Sequence, residues 1–134
     1  MTRDADRPMP PEVAGLLDEL TGGAYVSMRL RSRTKVDTGR WFRRSRLWLC
    51  VTDKQIVLLA ASKRRYTQVL ELAELPDSYY SHATGQLVLE PTEGVRYSRI
   101  KLAPIDALRV LSLIEQAYAN PTDPRSTATE NSSA

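Results

Sequence analysis

Basic side chains gather in one part of this chain, residues 29 to 65. That stretch holds twelve of the nineteen lysines and arginines but only two acids, Asp37 and Asp53, so its net charge is +10, against +3 for the whole chain. Arginine presents a planar fork of donors that pairs with phosphate or carboxylate, and a segregated positive surface attracts anions over about one Debye length. The chemistry that this pattern indicates is therefore the binding of anions.

Residues that could catalyse a reaction or hold a metal form no recognisable set. Cys50 is the only cysteine and His82 the only histidine, so a zinc site would need a shell of carboxylates, which the spacing does not offer. Ser81 and His82 are adjacent and would lie on opposite faces of a strand, which argues against a catalytic triad. We interpret Cys50 as an inert buried thiol. The sequence predicts a protein that is not an enzyme, with no catalytic residue, metal site or cofactor.

Length and composition predict one globular domain. The chain has 134 residues, with 42% hydrophobic and 26% charged residues, which is ordinary for a soluble domain. One cysteine excludes an internal disulfide, no apolar run approaches the roughly 20 residues that span a bilayer, and the charged, proline-rich start does not resemble a signal peptide. We expect a cytoplasmic protein with a single domain at residues 11–120, between disordered segments at 1–10 and 121–134.

Two helices are predicted, one at each end of the domain. The segment that begins at Pro11 has prolines at its start and apolar residues at helical spacing, and Gly22-Gly23 stops it. The segment that begins at Pro104 carries a broad apolar stripe and no glycine. Between them, short apolar runs separated by turn residues predict about seven antiparallel strands, hence a mainly β domain.

The basic residues fall on the first predicted hairpin. In its first strand three apolar residues alternate with three arginines, a period of two that predicts a half-buried strand: Val26, Met28, Leu30 against Arg29, Arg31, Arg33. A turn is expected around Asp37-Thr38-Gly39. The second strand alternates in the same way. We expect its inward side chains to be Leu47, Leu49 and Val51, and its outward side chains to be Arg44, Arg46 and Trp48.

The aromatic side chains on this hairpin need other residues or a partner to pack against. Trp48 and Cys50 make the outer side of the second strand apolar, so we expect the N-terminal helix to cover it, with a partner subunit as the alternative. Trp41-Phe42 lies between Arg40 and Arg43. Aromatic rings beside cations suit a membrane or partner contact, and core packing near the mouth of the fold explains them as well.

The stretch CVTDKQIVLLAAS, followed by TQVLELAEL and GQLVLEP, resembles the GRAM and bacterial PH branches of the pleckstrin-homology-like superfold. Thr52-Asp53-Lys54 matches the Thr-[Asp/Asn]-[Lys/Arg] turn of those families, and the element order over residues 24–119 is similar. The resemblance implies a partly open barrel of two antiparallel sheets with a capping C-terminal helix. It also implies anionic headgroups or proteins as partners, with Lys35 and Arg44-Ser45-Arg46 resembling a phosphate cradle. The final helix lacks the tryptophan typical of eukaryotic PH domains, which favours the divergent branch.

Together these features predict a non-enzymatic binding module that docks through the Arg-rich hairpin on an anionic membrane surface or an acidic protein segment. A membrane partner would place it at the inner face of the membrane. The central anion contacts are Lys35, Arg44 and Arg46, and the flanking ones are Arg31, Arg33, Arg40 and Arg43. The alternatives are a nucleic-acid-binding protein that uses the same face, an assembly module that forms oligomers through the apolar face near Trp48, and a merely solvated face that guards an edge strand.

Overall fold

The computed structural model describes residues 8–40, 43–61 and 65–119, with backbone alone at 37–40 and 43–45. The predictions for Trp41-Phe42, for residues 1–7 and for residues 120–134 lie outside it. The helices are α1 (Pro11–Thr21) and α2 (Pro104–Ala119), with a single 3-10 turn at Leu72–Glu74. The strands are β1 (Val26–Arg40), β2 (Arg43–Thr52), β3 (Gln55–Ala60), β4 (Tyr66–Glu71), β5 (Tyr79–Ser81), β6 (Gln86–Val88) and β7 (Arg99–Lys101).

Two antiparallel sheets and α2 enclose the main core. The first sheet has the order β1-β2-β3-β4 and the second β5-β6-β7, and in the described part of the chain they do not close into a barrel. Each sheet and α2 supply fully buried side chains to this core, among them Leu49, Leu58, Leu87, Ile100 and Val110. The predicted mainly β class with a helix at each end is confirmed.

The N-terminal helix packs on the opposite side of the first sheet and forms a second, smaller core. Val13, Leu16 and Leu17 of α1 pack there with Trp48 and Cys50 of β2. Gly22 ends the helix in the left-handed conformation (φ 63°), and its N–H donates to the Asp18 carbonyl. The expectation that this helix covers the apolar outer side of β2 is confirmed, because Trp48 retains only 3% exposure.

The predicted inner face of β1 is wrong at its first residue. Val26 lies opposite Thr52 and Met28 opposite Val51, so β1 holds one residue more than β2 in this interval. Such a bulge shifts the alternation by one position. Val26 therefore packs with the α1 cluster, whereas Met28 lies in the main core.

The turn expected around Asp37-Thr38-Gly39 is also wrong. The strand continues to Arg40, which lies opposite Arg43, whereas Asp37 lies opposite Arg44. Two extra residues of β1 are thus absorbed in an irregularity of the pairing between Asp37 and Arg40. The chain reverses between Arg40 and Arg43, outside the described residues.

Candidate anion-binding site

The basic hairpin reaches past the rest of its sheet. β2 pairs with β3 only over residues 48–51, and in the described part of the chain residues 43–46 pair with β1 alone. At about 3.3 Å per residue, this hairpin extension, residues 35–40 and 43–46, projects about 17 Å beyond the last β2–β3 pair. In the described part of the chain this part of β2 therefore has a neighbouring strand on one side only.

Two of the predicted central contacts face each other across this extension. Lys35 lies directly opposite Arg46. The Lys35 side chain is exposed, and that of Arg46 is half-buried and donates a long hydrogen bond, 3.5 Å, from Nη1 to the Ser32 carbonyl oxygen. Like charges at directly opposed positions destabilise a strand pair. An anion held between them would replace that repulsion with two favourable contacts.

The other predicted contacts of the extension are placed by their backbone. Arg44 lies two residues from Arg46 in β2, and its backbone partner in β1 is Asp37. Arg40 and Arg43 form the last described pair. All three arginines therefore belong to the hairpin extension, as predicted, while their side chains lie outside the description.

A bulge in β1 fixes the backbone that carries Arg33 and Lys35. Arg31 lies opposite Trp48 and Lys35 lies opposite Arg46. Between these two pairs the chain advances four positions in β1 but only two in β2. Inside the bulge Ser32 is fully buried, donates from Oγ to the Leu47 carbonyl oxygen at 2.6 Å, and accepts from the Thr34 N–H at 3.1 Å. Bulges commonly re-aim side chains. These hydrogen bonds hold the segment that carries Arg33 and Lys35.

The arginines of β1 lie on its outer side, as the alternation predicts. Arg29 and Arg33 are exposed and Arg31 is half-buried. Elsewhere in the described residues, Arg65 pairs with Glu19 at 3.9 Å and Arg109 with Asp106 at 3.8 Å.

The second sheet adds cations that the sequence reasoning missed. The Lys101 N–H donates to Thr34 Oγ1 at 2.8 Å, a contact between residues 67 positions apart that fixes β7 beside β1. Arg99 and Lys101 are exposed on either side of the buried Ile100. The local signal was the alternation Arg-Ile-Lys, but nothing in the sequence indicated which strand would lie next to it.

Groups capable of covalent chemistry lie apart from one another. Burial raises the pKa of the Cys50 thiol to about 12, an effect that the nearby Arg29 charge partly opposes, so Cys50 is not a thiolate at neutral pH. His82 is exposed in the turn after β5, edge-to-face with Tyr80 at 4.9 Å. Among the residues that the structure describes, no group of three histidine, cysteine or acidic side chains could hold a metal ion.

The packing of α1 on β2 affects the hypothesis that the chain is an assembly module. That hypothesis used the apolar outer side around Trp48, which is buried beneath Val13, Leu16 and Leu17 of the same chain. Trp48 and Cys50 are therefore not accessible to a second subunit while α1 is in place.

Neither of the two described helices is long and apolar enough to cross a membrane. Comparison of the chain with protein-family models, with curated proteins and with solved structures finds no match. The functional argument therefore depends on the geometry of the basic surface alone.

Proposed function

We propose that the chain is a non-enzymatic binding module with a pleckstrin-homology-like fold, nearest the GRAM and bacterial PH branch, that docks through its basic hairpin on an anionic partner in the cytoplasm. Four antiparallel strands, then three more, then a helix packed against the core are the order that this fold requires. In this proposal the two sheets form a partly open barrel and α2 caps one end.

The observation that carries the functional proposal is the opposition of Lys35 and Arg46 on the hairpin extension. A protein surface that only needs to be solvated gains nothing from two cations placed face to face. A site for a carboxylate or phosphate does gain, because both groups can donate to the same anion through charge-assisted hydrogen bonds. Arg44 extends that site along the ribbon.

A double substitution tests the role of this pair. Lys35→Gln with Arg46→Gln removes both charges, and Lys54→Gln with Arg65→Gln is a matched control that removes two exposed charges elsewhere. Four probes are used at low salt: phosphatidylserine vesicles, phosphatidylcholine vesicles, a glutamate-rich peptide and a single-stranded oligonucleotide. Vesicle binding is measured by sedimentation and the other two by fluorescence anisotropy.

We expect the wild-type chain and the control to bind at least one anionic probe and not the neutral vesicles. The double variant should bind that probe about 30-fold more weakly, since each charged contact contributes about 1 kcal/mol. Equal affinity of the double variant and the control would overturn the role of this pair. Failure of the wild-type chain to bind any anionic probe would overturn the function.

A further inference from the structure

The basic surface does not end with the hairpin but crosses from the first sheet to the second. Thr34 lies between Arg33 and Lys35 in β1, and its Oγ1 holds the Lys101 N–H at 2.8 Å. Ile100 faces the main core, so Lys101 lies on the solvent side of β7, just as Arg33 and Lys35 lie on the solvent side of β1. Arg33, Lys35 and Lys101 are thus three exposed cations on the two strands that meet at this contact between the sheets, and we call them the seam row.

A flat anionic surface fits this row poorly because α1 lies beside it. The helix covers the outer side of β2 and β3 and presents exposed carboxylates at Glu12, Asp18 and Glu19. A packed helix is about 10 Å across, so these acids stand above the neighbouring strand. A membrane laid on the outer side of the first sheet would meet them, and like charges repel. A narrow chain can follow the seam row without reaching α1.

Nucleic acid is disfavoured because the described stretches of the first hairpin that carry these cations present no exposed aromatic ring. Single strands are commonly held by aromatic rings that alternate with cations. In the described stretches 29–35 and 46–50 the only ring is that of Trp48, and α1 covers it. Bases would therefore have no aromatic platform at the seam row.

We propose that the partner is an extended acidic segment of another polypeptide, lying along the seam row. Arg33 and Lys35, two residues apart in β1, are both exposed on its outer side. An extended segment repeats its side chains at the same interval, so carboxylates at alternate positions match these cations. This inference deepens the proposed function and rests on it.

The test uses the full chain and two fluorescein-labelled peptides of twelve residues, each with six glutamates and six serines. One alternates the two residue types, and the other groups the glutamates in a block. Wild-type protein should bind the alternating peptide at least threefold more tightly than the block peptide, and more tightly than it binds phosphatidylserine vesicles or an oligonucleotide. Lys101→Gln should weaken binding of the alternating peptide about fivefold, with Lys54→Gln as the matched control at wild-type affinity.

The outcomes separate the two proposals. Loss of peptide binding in the Lys35→Gln, Arg46→Gln variant without loss in Lys101→Gln would overturn the seam row and leave the hairpin site standing. Tighter binding of vesicles or oligonucleotide would overturn the acidic segment as the partner. Absence of binding to every anionic probe would overturn both. Urea unfolding midpoints for each variant verify that a loss of affinity does not come from a loss of folded protein.

Discussion

The outer side of β2 changes character within a few residues. At Trp48 and Cys50 it is covered by α1 and excluded from water, whereas Arg46, two residues before Trp48, is charged and half-buried. The inner side of the strand is apolar where it packs in the main core. The two regions therefore differ in their neighbours, because α1 and β3 both lie against β2 around Trp48 and Cys50, whereas in the described part of the chain residues 43–46 pair with β1 alone.

This difference assigns separate roles to the two parts of one strand. Burial of apolar area beneath α1 favours the folded state. In the hairpin extension Val36 packs in the main core, whereas the cations Lys35 and Arg46 lie opposite one another. Substitutions of buried residues beneath α1 should therefore change stability and leave anion binding intact, and those of the two cations should mainly change anion binding.

The largest effect is expected for Leu17→Ala. Leu17 has 1% exposure at the centre of the α1 contact, and truncating a buried leucine typically costs about 3 kcal/mol of unfolding free energy. Urea denaturation measures the loss. Leu108→Ala, at a position with 55% exposure on α2, is the matched control, and its unfolding free energy should change by less than about 0.5 kcal/mol.

Cys50 provides a second readout of the same substitution. With a pKa of about 12 and no exposed area, its thiol should react very slowly with an alkylating reagent at pH 8. Leu17→Ala should speed that reaction by opening α1. If Leu17→Ala and Leu108→Ala proved equally stable and equally unreactive, the idea that α1 seals this side of the sheet would be wrong.

A smaller effect is expected at Ser32, where the two regions meet. Ser32→Ala removes a buried donor to the Leu47 carbonyl and an acceptor for the Thr34 N–H, and leaving such groups unpaired costs about 1–2 kcal/mol. Because the bulge positions Arg33 and Lys35, anion affinity should fall as well. Ser27→Ala, which loses one hydroxyl donor at an exposed position, is the control for both measurements. If Ser32→Ala left anion affinity unchanged, the bulge would not be needed to position the cations that bind the anion.

Sequence periodicity was sufficient to predict the faces of β1 from Met28 onward and of the described part of β2, together with the role of α1. A strand that is apolar on both sides, such as β2 at Trp48 and Cys50, must be covered twice, and the nearest amphipathic helix did cover it. Ser32 also carried a signal, since a polar residue at an inward position of β1 needs hydrogen-bond partners. That signal indicates a departure from a regular ladder.

The failures have physical causes as well. Asp37-Thr38-Gly39 has the composition of a turn, but the same residues also suit an irregular strand, and local propensity does not distinguish the two. The contact between Thr34 and Lys101 joins two sheets. Alternation predicts which residues of a strand share a face, whereas neighbouring strands are chosen by packing of the whole core, so the contribution of β7 to the site could not be predicted.

The smallest effect is expected for Lys35→Gln, which should raise the unfolding free energy and lower anion affinity. Lys35→Gln removes one member of the Lys35–Arg46 opposition, so the unfolding free energy should rise by about 0.3 kcal/mol, a value limited by solvent screening. Anion affinity should fall in the same variant. The stability gain should shrink in 0.5 M salt, where exposed charges interact weakly, and Lys54→Gln, in the β2–β3 turn, should show neither change. If Lys35→Gln lowered stability instead, Lys35 would be held by a favourable contact within the chain. The opposition of like charges would then no longer be a reason to expect an anion there.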